Sequence, residues 1–269
     1  MSDAPQEDSS TVPVRSFFVR KRNALLTRAH FGPLYMDYYL HLMQHGLRHE
    51  KQADGMLKDA LAALTLHLCS RPREEVVAWT VNIRHPLMNL FVTGGSRPGR
   101  VTGRIFTEDV RDSGKSLFIA QVNRGLEVGR QSMVDFQGMD LLEAVEHFYT
   151  QSEQRVTRFF RGEDEELIMI SAEPDCDEEW LLGLEFEDVE QLGDKETLTL
   201  LETRGYIFEC GCSVDRLYPM LSRLSQEDLD HVFEDGTATI TCPRCGAIFH
   251  SPREHFEEWQ AAQKKAGEG

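Results

Sequence analysis

Four cysteines in two close pairs constrain the last quarter of this 269-residue chain more than any other feature. Cys210-Gly211-Cys212 is a C-x-C pair. Cys242-Pro243-Arg244-Cys245 is a C-x-x-C pair followed by Gly246, and 29 residues separate Cys212 from Cys242. Tetrahedral zinc takes four soft ligands at about 2.3 Å. A C-x-x-C turn delivers two thiolates to one side of such an ion, and the glycine after it permits the reversal that turns backbone N–H groups towards sulfur. A C-x-C pair at the end of a strand delivers the other two. A segment of about 60 residues has a thin core, so a metal staple is expected. Cys210, Cys212, Cys242 and Cys245 are therefore the expected ligands of one Zn2+. His250 and His255 lie nearby, but four thiolates already satisfy the metal.

The C-x-C half leaves two readings open. Cysteines one residue apart close a disulfide only with strain, and strained disulfides tend to be labile or regulatory. Zinc holds thiolates, which are the species oxidants attack, and losing them releases the metal with the folding free energy it supplied. The centre is either a redox-sensitive latch on local folding or a structural zinc that never cycles.

The rest of the chain reads as α+β. Residues 1–12 are small, polar and acidic, and disorder is expected there. The run 17–30 is basic and amphipathic (Arg20, Lys21, Arg22, Arg28) and reads as a solvated helix or a strand edge. Helical spacing follows at 34–47 and 56–68, with Leu57, Ala60, Leu61, Leu64 and Leu68 on one face and Cys69 as a small core residue. Short β-rich runs at 76–83, 87–93, 101–106, 117–122 and 132–136 predict an antiparallel sheet. A helix over 139–152 and strands at 156–160 and 167–171 complete a body spanning 13–172. The fold class is thus a mixed or antiparallel sheet with packed helices, followed by a small C-terminal zinc-binding domain.

Residues 173–204 form an acidic connector. From Glu163 to Glu196 there are 15 acids and one base, yet Trp180, Leu181, Leu184 and Leu192 lie among them. The segment either docks weakly and releases, or stays docked as acidic helix. The four-cysteine domain spans 205–262. It reads as a strand at 206–210, helices at 214–224 and from a Ser225 cap to Glu234, and a strand at 237–241. A last helix starts at a Ser251-Pro252-Arg253-Glu254 capping box, and 263–269 is expected to fray.

Charge narrows the functional classes. A net charge of −16 argues against general affinity for nucleic acid or anionic membrane. No apolar run approaches the roughly 18 residues of a membrane span, and the acidic N-terminus is neither a signal nor a transit peptide. A cytoplasmic location is expected, where cysteines stay reduced and metal ligation outranks structural disulfides. Arg20–Arg22 and the loop Gly94–Arg100 make the best case for an alternative, a constitutive zinc-containing protein of the nucleic-acid-binding ribbon type. Catalysis finds no support. Asp109 stands where a phosphate loop ending Gly114-Lys115-Ser116 needs glycine, and no catalytic residues are expected. Cys176 sits among Asp175, Asp177, Glu178 and Glu179, which should make its thiol sluggish.

The C-x-C, about 30 residues, C-x-x-C-G pattern at the end of an α+β body resembles the redox-regulated heat shock protein 33 family. Two further blocks are similar to that family: Gln131–Gly138 with the helix that runs on to Ser152-Glu153-Gln154, and Pro86-Leu87-Met88-Asn89-Leu90. Together the blocks cover most of residues 15–262. The resemblance implies a holdase chaperone that binds unfolding proteins under oxidative stress. It would be zinc-bound and inactive when reduced. Disulfides Cys210–Cys212 and Cys242–Cys245, with zinc release, would activate it and favour a homodimer. The connector looks short for the family, which makes this a divergent member.

Overall fold

The computed structural model describes residues 10–125 and 129–267, so the disorder expected at 1–9 and at 268–269 lies outside the described residues. The chain begins with β1 (Val12–Val19) and β2 (Ala24–His30), which pair antiparallel. The basic run is therefore two strands, and β1 is not an edge. Val12, Val14 and Ser16 alternate inward while Pro13 and Arg15 face out, and a bulge between Ser16 and Phe17 re-aims the strand so that Val19 is also buried.

Two helices follow, α1 (Gly32–Gln44) and α2 (Lys51–Cys69). Helix α2 starts five residues before the expected boundary, because Gly55 lies exposed in its first turns and breaks nothing. Every residue of α2 from Leu61 to Cys69 is buried, as suits a helix clamped between layers. Strands β3 (Glu75–Ile83), β4 (Met88–Ser96), β5 (Gly99–Phe106), β6 (Ser116–Arg124) and β7 (Arg130–Phe136) are antiparallel neighbours in the order β7-β6-β3-β4-β5. The glycine-rich stretch 94–100 is the β4–β5 hairpin itself. A Cβ on Gly99 would sit 1.9 Å from the Gly205 carbonyl oxygen, so a crossing backbone requires glycine there.

The helix expected over 139–152 is α3 (Leu141–Phe148), capped by the Asp140 carboxylate, followed by one π turn over Tyr149–Glu153. The wider turn carries the Tyr149 ring into the core, where its hydroxyl meets His67 Nδ1 at 2.6 Å. Strands β8 (Thr157–Arg161) and β9 (Glu166–Ala172) follow, and β9 pairs with β2.

The acidic connector folds as three short helices, α4 (Glu178–Leu182), α5 (Phe186–Glu190) and α6 (Leu192–Lys195). Leu181, Leu184, Val189 and Leu192 are buried against Leu26, Ile168 and Ile170. The opposite face of the same strands, Leu167 and Met169, belongs to the main core. The basic β1–β2 turn holds this layer by charge: Arg22 bonds Asp177 at 2.6 Å and Glu196 at 2.8 Å.

The strand expected at 206–210 is longer and earlier, β10 (Leu198–Phe208). It pairs antiparallel with β1 over most of its length and parallel with β5 at Ile207 and Phe208. Among the described residues the main sheet therefore has ten strands, β7-β6-β3-β4-β5-β10-β1-β2-β9-β8, and β10 is the seam between five strands on one side and four on the other.

Beyond it lie α7 (Val214–Leu221), α8 (Gln226–Val232), a β11 (Thr237–Thr241) and β12 (Ile248–Pro252) hairpin, and α9 (Arg253–Gly267). Helix α9 continues past the point where fraying was expected. Ser251 does not cap it: the residue is buried in β12, with its Oγ 2.6 Å from the Tyr218 hydroxyl. No helix among the described residues is long and apolar enough to cross a membrane.

Candidate metal centre

Strand β10 delivers the first cysteine pair. The Glu209 N–H still bonds the Val101 carbonyl at 3.0 Å, and Cys210-Gly211-Cys212 turns off the sheet from there, with Ser213 capping α7. The β11–β12 hairpin delivers the second pair at its tip. The Cys242 N–H donates to the Ala247 carbonyl at 2.8 Å, and the Gly246 N–H donates to the Cys242 carbonyl at 3.0 Å. Gly246 has φ +77, a conformation glycine adopts without strain. Leu217, Tyr218, Phe233, Ile240, Ala247 and Phe256 pack behind the hairpin as a small separate core.

The pairs converge. Cys210 Sγ lies 3.7 Å from Cys242 Sγ, Cys212 Sγ lies 3.6 Å from Cys245 Sγ, and all four sulfurs fall within 4.8 Å of one another. A tetrahedron with metal–sulfur bonds of about 2.3 Å has edges of roughly 3.8 Å. The quartet is thus close enough to bind a metal ion and has the span of a single tetrahedral site. His250 and His255 stand apart from it: His250 Nδ1 meets Thr239 Oγ1 at 3.2 Å, and His255 is exposed.

The electrostatics fit a cation. Sulfur-bound hydrogens of Cys210 and Cys245, with the N–H groups of Arg244 and Cys245, hold the Cys242 thiol far below the ordinary range. Donation to Cys242 raises Cys210, and donation to Cys210 and Cys242 raises Cys245. Burial and the neighbouring Cys210 push Cys212 up to about 12. Four sulfurs this close accept one negative charge readily and the next three only if positive charge stands among them. The other two cysteines are elsewhere. Cys69 is buried, its thiol pushed up to about 11 by burial. Cys176 is raised by burial first and by Glu178 and Asp177 next.

The body grips this loop through residues that the sequence reading did not single out. His41 Nε2 donates to the Cys245 carbonyl at 2.9 Å, and Arg104 Nη1 donates to the Cys242 carbonyl at 2.9 Å. The Ile248 N–H donates to His45 Nδ1 at 3.2 Å. His41 and His45 are one helical turn apart on α1, a spacing visible in the sequence. Their partners lie about 200 residues away, where periodicity has no reach. The basic residues that suggested nucleic acid are engaged within the chain: Arg20 with Thr199 at 2.6 Å, Arg97 with Glu74 at 3.0 Å and Arg100 with Glu209 at 2.7 Å.

Comparison with known proteins agrees with this architecture. The family model described as Hsp33 protein matches residues 162–251, which include all four cysteines. The 33 kDa chaperonin of Nitrosococcus oceani is 26% identical over 239 residues, spanning 81% of this chain and 74% of that protein. That of Picosynechococcus is 35% identical over 72 residues, only 26% of this chain and 24% of that protein. That of Pseudomonas paraeruginosa is 29% identical over 167 residues, covering 52% and 54%. The crystal structure of the 33 kDa chaperonin from Thermotoga maritima, a heat shock protein 33 homologue, superposes with a TM-score of 0.72 over 94% of this chain and 99% of that one, at 14% identity. Such a likeness carries the fold, while the family model over residues 162–251 and the sequence relatives support the Hsp33 family for this chain.

Proposed function

We propose that this protein is a holdase chaperone whose four-cysteine unit, over residues 205–262, binds one zinc ion and acts as a redox switch. The observation that carries the reading is the convergence of four sulfurs within 4.8 Å from two loops about 30 residues apart in the chain. Zinc, when bound, supplies the charge that lets Cys210, Cys212, Cys242 and Cys245 all be thiolates. Each neighbouring pair of thiolates, Cys210–Cys212 and Cys242–Cys245, can then lose two electrons to one hydrogen peroxide and form one S–S bond, the O–O bond breaking and the peroxide taking up two protons from solvent to leave as two waters. With the thiolates gone the loop loses its staple, and the small core behind it is too thin to hold alone. Unfolding there uncovers apolar surface, which binds unfolding client proteins without needing a sequence. In the reducing cytoplasm the metal-bound, inactive form would persist until oxidative stress. A homodimer of the oxidised form belongs to the same reading.

One observation favours a constitutive chaperone instead. The connector over 173–204 is built into the structure by β10 and a buried apolar layer, so the switch has less chain to release. Light scattering from an aggregating client, with protein prepared reduced with zinc and oxidised without it, separates the readings. Suppression only in the oxidised state supports the switch, and equal suppression in both supports the constitutive form. Suppression in neither, or absence of stoichiometric metal from the reduced protein, overturns the proposal.

A further inference from the structure

Helix α1 buries Leu34, Tyr35, Tyr38 and Leu42 and turns a second apolar stripe outwards. Met36, Leu40 and Met43 are 61%, 54% and 78% exposed, with Tyr39 beside them. These positions recur every three or four residues, so they form one ridge along the helix. Of the twelve large hydrophobic side chains exposed among the described residues, four belong to this thirteen-residue helix. Isolated exposed leucines need no explanation, but a contiguous stripe marks an interaction surface.

The ridge runs between two grooves. One, of about 420 Å³, is walled by Leu40 and His41 on the helix, by Phe208, and by Cys210 and Phe249 of the four-cysteine unit. The other, of about 730 Å³, is lined by Tyr39, Met43 and Leu47. The four-cysteine unit is already seated on this flank. Its Ile248 backbone bonds His45, its Phe249 ring lies 5.7 Å from the His45 ring, and Gly246 abuts Leu47. What rests there is an extended apolar strand, Ile248 and Phe249 of β12, and the open ridge continues that same interface.

We infer that the α1 ridge, with the flank the four-cysteine unit covers, is the seat for extended apolar segments of unfolded polypeptides. The inference rests on the chaperone reading and assigns its client surface. Methionine suits such a seat because its flexible, polarisable side chain repacks against many shapes. Departure of the four-cysteine unit lengthens the seat by uncovering Leu47 and Phe208, so the oxidised form binds more tightly than the reduced one.

The test uses the full-length oxidised protein and fluorescently labelled, reduced and carboxymethylated α-lactalbumin, a permanently unfolded chain, read by anisotropy. A Met36→Gln/Leu40→Gln/Met43→Gln variant is compared with Met133→Gln/Leu200→Gln, which removes exposed apolar groups elsewhere. Metal content and melting of the reduced forms serve as the check on folding. The expected result is binding at least ten-fold weaker for the α1 variant and within two-fold of the parent for the control. Equal binding by the parent and the α1 variant, or equal losses in both variants, overturns the assignment while leaving the chaperone reading intact. If the parent itself does not bind, the chaperone reading fails with it. Benzoylphenylalanine placed at position 40 should crosslink the labelled chain and at position 133 should not; the reverse pattern also overturns the assignment.

Discussion

Replacing Arg104 by methionine tests how the body holds the four-cysteine unit. The substitution keeps most of the aliphatic stem and removes the guanidinium, whose carbon lies 4.0 Å from the Phe106 ring centroid within the body. It deletes the 2.9 Å bond to the Cys242 carbonyl. A hydrogen bond from a charged donor contributes about 1.5–3 kcal/mol. Part of that is offset, because Nε of the same guanidinium is buried without a hydrogen-bond partner, and removing it relieves about 1 kcal/mol of desolvation. The net loss is about 0.5–2 kcal/mol, a factor of roughly 2–30 in the docking equilibrium. Native-state hydrogen exchange on the reduced, zinc-loaded protein reads this directly. Amides in β11, β12 and the turn between them should exchange faster by that factor, while those of β3 and β4 keep the parent rate. Unchanged exchange in the hairpin would show that the Arg104 contact does not hold the loop. Equal acceleration in β3 and β4 would show that Arg104 supports the whole fold.

Four other outcomes are expected. Leu61 of α2 is fully buried, so Leu61→Ala should cost about 2–5 kcal/mol in chemical denaturation with metal stoichiometry unchanged; a smaller cost would contradict the packing described. His67 is buried and stays neutral, its folded pKa lowered to about 3 by burial. The unfolded chain therefore takes up a proton that the folded one refuses as pH falls below about 6.5, and stability drops by up to ~1.4 kcal/mol per pH unit from there towards pH 3. In urea titrations from pH 7 to 4, His67→Gln should flatten that slope, and identical slopes would exclude His67 as its source. Cys245→Ser should reduce bound zinc from one equivalent to a small fraction by chelator titration, and full retention would remove Cys245 from the ligand set. After metal removal, exchange protection should vanish over 209–267 and persist over 173–208; loss across both segments would mean that the connector leaves with the metal.

The elements most legible in the sequence were those whose signal is local. Thr237–Thr241 alternates, has the turn-forming Asp235-Gly236 before it, and forms a strand with those bounds. The cysteine spacing pointed to one cluster, and the four sulfurs lie together. What could not be read was decided by partners remote in the chain. Leu198 to Arg204 looked like the end of an acidic linker because only its pairing with β1 makes it a strand. Arg20 and Arg22 looked available for an anion because Thr199, Asp177 and Glu196 are more than 150 residues away. Ser251 had the sequence of a helix cap, and a buried tyrosine hydroxyl took its side chain instead. Each case sets a local preference of about 1 kcal/mol against burial or pairing with a distant segment, and the distant segment wins.

Strand β10 explains why the metal loop can be labile without endangering the body. It joins the two parts of the sheet, yet its pairing with β5 is confined to Ile207 and Phe208, with one further bond from the Glu209 N–H to Val101, just before the first cysteine. Its pairing with β1 runs from Leu198 to Tyr206 and does not involve the metal loop. Arg204 fixes the same stretch by donating to the carbonyls of Leu68 and Arg71 at the end of α2. A disturbance that starts at Cys210 therefore meets a short contact first and a long ladder second. The short contact bears Phe208, which packs on Tyr38 and His41 of α1. Loss of the loop loosens the flank of the helix that carries the exposed Met36, Leu40 and Met43, while the upstream ladder keeps that helix in place. On the proposed reading, in which the surface stays folded while its cover unfolds, this division between a short contact and a long one is what the mechanism requires.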